Sequence, residues 1–203
     1  MNWMKKVAVA LVCLLPLGLQ AAKVDTLQVK SPSMNKSIEV VVVSPDMAAT
    51  EACPVIYLLH GYGGNARTWV GIKPDLPKIA DEKGIFFVCP DGKNTWYWDS
   101  PLNADVRYET FISDELVKYV DSHYKTVADR KGRAITGLSM GGHGAMWNGL
   151  RHSDVFSAAG STSGGVDIRP FPKNWEMSVQ IGEKAKYPEN WEGLSFETLD
   201  AIQ

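Results

Sequence analysis

Gly137-Leu-Ser-Met-Gly-Gly142 is the stretch of sequence that decides the fold. A β-type run ending at Ile135-Thr136 precedes it, and a helix-compatible run, residues 143–147, follows. Gly-x-Ser-x-Gly between a strand and a helix is the pattern of a nucleophile elbow, a turn so tight that it needs small residues on either side of the serine. The pattern predicts that the Ser139 hydroxyl stands clear of the sheet. It also predicts that the Met140 N–H lies at a helix N-terminus, where negative charge is favoured.

A second glycine-rich segment follows another apolar run. Residues 54–59 are typical of a strand buried on both faces, and His60-Gly-Tyr-Gly-Gly64 comes directly after them. Glycines allow the backbone to approach a substrate closely. We therefore expect the Tyr62 and Met140 N–H groups to form an oxyanion hole. An ordinary strand-to-helix turn is the alternative, and the presence of the elbow favours the catalytic interpretation.

The rest of the chain alternates strand patterns with helical patterns. Strands are predicted at residues 24–29, 37–43, 54–59, 85–88, 133–136 and 155–159. Helices are predicted at residues 74–83, 108–124 and 140–150, with a weak pattern at 194–202. This alternation predicts an α/β fold with a mainly parallel sheet and helices on both faces.

The histidines offer no obvious base for the serine. A serine hydroxyl becomes nucleophilic when a base, usually a histidine held by a carboxylate, takes its proton. No histidine follows His152 in the sequence. His143 lies on the helix that leaves the elbow, so we expect its side chain to pack or hydrogen-bond away from Ser139. We expect His60 to support its own loop, and His123 and His152 to lie on the surface.

Aromatic residues cluster in the loop of residues 93–107, which follows a predicted strand. Sheets of this kind bind ligands beyond the carboxyl ends of their strands. Trp96 and Tyr97 are therefore candidate substrate-binding residues for a sugar ring or an aromatic acyl group. Packing beneath a long loop is an equally good alternative. The chain has no His-x-x-x-His or Cys-x-x-Cys spacing, so neither a metal nor a cofactor is predicted.

The N-terminus has the pattern of an export signal. Lys5-Lys6 precedes an apolar run at residues 7–19, and small residues at Ala21-Ala22 follow it. The run is shorter than the roughly 20 residues that span a membrane. We expect residues 1–22 to be removed and residues 23–203 to form one secreted or periplasmic domain. The net charge of −2 indicates neither a nucleic acid nor an anionic membrane as partner.

The two cysteines beyond the predicted signal are Cys53 and Cys89. Export permits a disulfide. If their strands are parallel neighbours, however, the two residues lie at opposite ends of them, roughly 15–20 Å apart. A disulfide requires Cα atoms within about 7 Å. We therefore expect two buried free thiols.

With these motifs in view, the chain resembles the esterase D / putative esterase branch of the α/β-hydrolases. The matching segments lie between about residues 38 and 165 and comprise residues 57–64, 90–92, 96–97, 108–112 and 137–145. The resemblance implies a serine esterase with Ser139 as nucleophile and the Tyr62 and Met140 amides as oxyanion hole.

The chain also departs from that family. Its members place an acid and then a histidine after the nucleophile, and continue with further strands and a helix. Here Asp154, Asp167 and Asp200 follow Ser139, but no histidine follows any of them. We therefore expect a truncated domain that lacks the C-terminal strands and helix.

Three functions remain open from the sequence. The first is a secreted serine carboxylic ester hydrolase that forms an acyl-serine intermediate on acetyl or feruloyl esters of plant polysaccharide. The second is a catalytically silent carbohydrate-binding protein, because the histidine is missing. The third is an acyltransferase, in which a sugar hydroxyl replaces water as the acceptor. All three predict a small-molecule or polysaccharide ester as the binding partner.

Overall fold

A six-stranded sheet organises the protein in the order β1-β2-β4-β3-β5-β6. The computed structural model describes residues 22–101 and 103–166. The strands are β1 (Lys23–Ser31), β2 (Lys36–Ser44), β3 (Val55–Leu59), β4 (Phe86–Pro90), β5 (Arg133–Leu138) and β6 (Ala158–Thr162). β1 and β2 form an antiparallel hairpin, and β2 pairs antiparallel with β4. The pairs β4–β3, β3–β5 and β5–β6 are parallel.

Helices connect the parallel strands. They are α1 (Thr68–Ile72) and α2 (Leu76–Lys83) after β3, α3 (Tyr108–Thr110) and α4 (Leu116–His123) after β4, and α5 (Met140–Arg151) after β5. One π-helical turn, Phe111–Glu115, joins α3 to α4, so the segment predicted as a single helix remains helical throughout. Short 3-10 turns lie at Asp46–Ala49 and Arg130–Gly132. Within the described ranges, every helix is too short or too polar to cross a membrane.

Two apolar clusters cover the two faces of the sheet. Alternate residues of a strand point to opposite faces. In β3, Tyr57 and Leu59 accordingly join the cluster that includes α4 and α5, whereas Leu58 joins the cluster that includes α2. The prediction of a mainly parallel sheet with helices on both faces is confirmed.

The last described strand differs from its prediction. The strand expected at residues 155–159 is observed as Ala158–Thr162. The Val155 and Phe156 N–H groups instead donate to the His152 carbonyl at 2.9 and 3.0 Å, which closes a turn after α5. Phe156 packs edge-on against Tyr57, with 5.7 Å between ring centroids. These apolar residues therefore belong to the core beneath the sheet rather than to a strand.

Both cysteines are buried free thiols, as predicted. Cys53 precedes β3, whereas Cys89 lies near the end of β4. Burial and the Glu51 carboxylate raise the pKa of Cys53, and burial raises that of Cys89. Both thiols therefore stay protonated and unreactive at neutral pH.

Some sequence predictions fall outside the described ranges. They include residues 1–21 of the predicted export signal, Asp167 and Asp200, and the weak helical pattern at residues 194–202. The prediction that the domain lacks its C-terminal strands and helix also lies outside the described residues.

Candidate active site

Ser139 occupies a strained and exposed position between β5 and α5. Its backbone has φ 51° and ψ −118°, and it directly precedes Met140, the first residue of α5. A residue with a side chain pays of order 1–3 kcal/mol for such a conformation, and strain of this kind concentrates at functional sites. The Ser139 residue is exposed to solvent. The turn therefore presents this residue at the carboxyl edge of the parallel strands.

Two glycines allow the turn to be this tight. A Cβ atom on Gly137 would lie 2.4 Å from the carbonyl of Gly141, and one on Gly141 would lie 2.2 Å from the carbonyl oxygen of Leu59. Real Cβ atoms do not approach other atoms so closely. The residues two before and two after Ser139 are therefore glycines because β3, β5 and α5 meet there without room for side chains.

The loop after β3 lies directly against the elbow. A Cβ atom on Gly61 would lie 3.5 Å from the Cβ atom of Ser139 and 2.7 Å from a methyl group of Leu138. Tyr62 follows, with 56% of its surface exposed. On the other side of the serine, the Met140 N–H belongs to the first turn of α5, where backbone donors have no acceptor within the helix. Two backbone segments thus flank Ser139, as an oxyanion hole requires.

His60 holds this loop in place. Its Nδ1–H donates to the Gly61 carbonyl at 2.7 Å, and its Nε2 accepts from the Gly92 N–H at 2.9 Å. An imidazole that donates from one nitrogen and accepts at the other is neutral. The Tyr97 hydroxyl donates to the His60 carbonyl at 3.0 Å. The prediction that His60 supports its loop is confirmed.

A further contact of this loop was not predicted from the sequence. The side-chain oxygen of Asn94 accepts from the Gly63 N–H at 2.8 Å. Asn94 lies in the loop after β4, so this bond ties the two loops together at the edge of the sheet. No sequence motif marks it, because an asparagine in a loop carries no distinctive pattern.

Asp91 is a buried, ionised carboxylate beside the same loops. Burial raises its pKa, but the hydrogen bonds and charge of Lys93 act in the opposite direction and help to hold the pKa below its ordinary value. The Lys93 ammonium lies 2.5 Å from one carboxylate oxygen, and the Lys93 N–H donates to the other at 2.9 Å. The Nε2 of His60 lies 3.6 Å from the carboxylate, too far for a hydrogen bond.

The structure favours packing for the two aromatic residues that the sequence suggested for substrate binding. The Tyr97 ring is fully buried. It occupies the space that a side chain on Gly92 or Gly144 would need. Trp96 is 9% exposed and packs edge-on against His143, with 5.3 Å between ring centroids. Tyr97 thus fills the space between the loop after β4 and α5, and it has no surface to offer a substrate.

His143 is buried among tryptophans, away from the serine hydroxyl. Trp98 Nε1–H donates to its Nε2 at 2.6 Å, and its Nδ1–H donates to the Gly165 carbonyl at 2.5 Å. Burial lowers the pKa of His143 to about 4, although the hydrogen bond to Gly165 acts in the opposite direction. The prediction of a packing and hydrogen-bonding role is confirmed.

His152 does not lie free on the surface, contrary to the prediction. Its Nε2 lies 2.8 Å from one carboxylate oxygen of Glu109, and the same oxygen accepts from Arg151 Nε at 2.9 Å. The other oxygen of Glu109 accepts from Trp147 Nε1 at 2.6 Å. A buried carboxylate needs such donors, and the end of α5 supplies all three. No local pattern predicts this pairing, because Glu109 lies more than forty positions from His152 in the sequence.

None of the four histidines contacts the serine hydroxyl. All four lie in the described ranges, and His123 is exposed and stacked on Tyr119, with 4.0 Å between ring centroids. The hydrogen-bond partners of His60, His143 and His152 lie elsewhere. The site as described therefore combines an exposed serine and two flanking backbone segments with no histidine base.

Comparison with known proteins places the chain in a family. A family model described as "Putative esterase" matches residues 31–195. The chain belongs to this esterase family. An endo-1,4-beta-xylanase/feruloyl esterase of Xylanibacter ruminicola is 34% identical over 163 residues, covering 75% of this chain and 22% of that protein. An acetyl esterase of Caldicellulosiruptor saccharolyticus is 31% identical over 108 residues, covering 53% of this chain and 40% of that protein.

The fold of this esterase-family chain matches solved structures. A ferulic acid esterase structure is 29% identical, with a TM-score of 0.65, covering 80% of this chain and 69% of that chain. The chain spans less than half the length of the curated relatives that it matches. The predicted relationship to the putative esterase family is confirmed.

Proposed function

We propose that this chain carries the nucleophile and oxyanion hole of a serine carboxylic ester hydrolase. The observation that carries the proposal is the exposed, strained Ser139 at the start of α5, flanked by the loop of residues 60–64. The family match and the ester-cleaving relatives support the same activity.

The proposed reaction proceeds through an acyl-serine. The Ser139 oxygen attacks the ester carbonyl carbon, the negative charge develops on the carbonyl oxygen, and the Tyr62 and Met140 N–H groups stabilise it. The bond to the alcohol then breaks, the alcohol leaves with a proton, and water hydrolyses the acyl-serine to the acid.

The proton of the serine hydroxyl must pass to a base. None of the chain's four histidines contacts that hydroxyl, so the base of the proposed reaction lies outside these side chains. A site without its histidine retains about 10³–10⁴-fold acceleration over water from the oxyanion hole and substrate binding.

We further propose acetyl or feruloyl esters of plant polysaccharide as substrates and a secreted or periplasmic location. The substrate class is supported by the names of two relatives, a xylanase/feruloyl esterase and an acetyl esterase. The location is supported by the basic, apolar and small-residue pattern of residues 1–22.

Hydrolysis of p-nitrophenyl acetate tests the proposed nucleophile. We expect the wild-type protein to release nitrophenolate at least about tenfold faster than Ser139→Ala, because the acyl-serine route is closed in the variant. Ser122→Ala is the matched control, since Ser122 is exposed near the end of α4 and bonds only its local helix and His123. Equal rates for wild type and Ser139→Ala would remove Ser139 from the mechanism.

A second candidate function is carbohydrate binding without catalysis. The absence of any histidine contact to Ser139 favours it. Equal ester hydrolysis by wild type and Ser139→Ala, together with calorimetric binding of xylo-oligosaccharide, would select this function over the hydrolase.

A further inference from the structure

A polar cleft of about 410 Å³ lies at the same edge of the sheet as Ser139. It is lined by the first residues of β2, by the loop after β3 and by the loop after β4. β2 runs antiparallel to β4, with Val40 opposite Pro90, so Lys36 and Glu39 extend beyond the carboxyl end of β4. The Asp91 N–H donates to the Glu39 carbonyl at 2.9 Å and closes the floor of the cleft.

Three cations from separate segments line this cleft: Lys36, Arg67 and Lys93. Lys93 is paired with Asp91, and Lys36 donates to the Asp105 carbonyl at 2.7 Å. Arg67 donates to the Thr26 hydroxyl at 3.0 Å, and within residues 22–101 and 103–166 it has no carboxylate partner. The cleft therefore holds a guanidinium whose remaining donors are available to a ligand.

Tyr108 adds a hydroxyl donor to the wall of the cleft. It is 1% exposed and lines the cleft, and its hydroxyl makes no hydrogen bond to any residue in the described part of the chain. The ammonium of Lys36 lies over its ring, 5.0 Å from the centroid. Burial and the Asp91 carboxylate raise the pKa of Tyr108, so the hydroxyl remains protonated and able to donate. The hydroxyl is therefore free to donate to an acceptor bound in the cleft.

We infer that this cleft binds the carboxylate of an acidic saccharide, a uronic acid residue. The guanidinium of Arg67 offers the planar pair of donors that matches a carboxylate, and the Tyr108 hydroxyl adds a neutral donor. The carboxylates of Asp91 and Glu39 also line the cleft. They accept hydrogen bonds from sugar hydroxyls, and they disfavour a multiply charged phosphate group.

The cleft lies close enough to Ser139 for one substrate to reach both. In the order β2-β4-β3-β5, the cleft lies two to three strand spacings from the elbow, roughly 10–15 Å at about 4.8 Å per strand. The loop of residues 60–67 runs between them, and Asn94 ties it to the loop that carries Lys93. A short oligosaccharide spans this distance. This inference rests on the proposed function and specifies its substrate as an ester of a uronic acid-bearing polysaccharide.

Calorimetry with two matched oligosaccharides tests the inference. The probes are xylotetraose bearing one glucuronic acid residue and unsubstituted xylotetraose, each titrated at low salt into wild-type protein, Arg67→Ala, Tyr108→Phe and Lys78→Ala. We expect the acidic probe to bind wild type at least about tenfold more tightly than the neutral probe, and the difference to shrink in 0.5 M salt. Arg67→Ala should abolish the difference and Tyr108→Phe should reduce it.

Lys78→Ala is the matched control, because Lys78 is an exposed cation on α2 whose partner is Glu82. It should bind both probes as wild type does. Equal affinity of wild type for the two probes, no binding of either at millimolar concentration, or an unchanged preference in Arg67→Ala would overturn the inference. Binding does not require catalysis, so a failure of the cleft is distinct from a failure of Ser139 in the hydrolysis assay.

Discussion

At the scale of single residues, the site depends on positions where a side chain has no room. A Cβ atom at position 141 would meet the carbonyl oxygens of Leu59 and His60 at 2.2 and 2.6 Å. Both are backbone atoms of β3 and its loop, so neither can rotate away. Gly141 therefore allows α5 to begin directly against β3, and this contact places Ser139 beside Gly61.

Gly141→Ala should destabilise the protein and reduce any activity at Ser139. The added methyl group forces β3 or α5 to shift, which typically costs about 1–3 kcal/mol of the free energy of unfolding. Gly71→Ala is the matched control, because a Cβ atom at Gly71 meets nothing within 4 Å. That variant should gain about 0.4–1 kcal/mol. Urea unfolding of both variants measures the difference, and equal stabilities would contradict the steric account of the elbow.

At the scale of elements, α5 joins the elbow to the aromatic loop after β4. Gly144, on α5, packs against the Tyr97 ring, and His143 bonds both Trp98 and Gly165. Towards its C-terminal end, α5 also supplies two of the hydrogen-bond donors to the buried Glu109 carboxylate, Trp147 Nε1 and Arg151 Nε. The helix that carries the nucleophile at its N-terminus is thus fixed along its whole length.

Acid should weaken this packing through His143. Its pKa is lowered to about 4 in the folded protein, mainly by burial, from an ordinary value of 6.5. Between these values the unfolded chain binds more protons, so the stability from neutral His143 is complete above pH 6.5 and lost as the pH falls to 4. The loss should approach about 3 kcal/mol.

Urea unfolding between pH 7 and pH 4 measures this effect against His143→Gln. Glutamine keeps a donor and an acceptor but does not titrate. Carboxylates with lowered pKa, such as Asp91 and Glu109, contribute equally to both proteins. The wild-type stability should therefore fall more steeply than that of the variant. Parallel curves would show that His143 does not titrate in this range.

At the scale of the whole molecule, the regular part of the fold could be predicted and the irregular contacts could not. The strand and helix patterns gave β1–β5, α2 and α5, because buried strands and amphipathic helices each have their own periodicity. The small residues of β6, Ala158–Thr162, carry no such pattern. The sequence therefore predicts the strand too early, at the apolar Val155 and Phe156. The helix α1 escapes prediction because its five residues are too few to show a helical period.

The candidate site was predictable only where it is local in the sequence. The elbow and the glycine-rich loop are contiguous motifs, so Ser139, Tyr62 and Met140 could be selected before the structure was known. The polar cleft beside β2 and β4 combines Lys36, Arg67 and Lys93, which come together only when the sheet forms. The burial of Tyr97 likewise depends on glycines at positions 92 and 144, and no local pattern indicates it.

Labelling with a fluorophosphonate tests most directly whether Ser139 is an activated nucleophile. The reagent bonds covalently to such a serine, and mass spectrometry of the digested protein locates the added mass. We expect the label on the peptide that contains Ser139 in the wild-type protein, and none in Ser139→Ala. An unlabelled wild-type protein, or equal labelling of Ser139→Ala, would contradict the account.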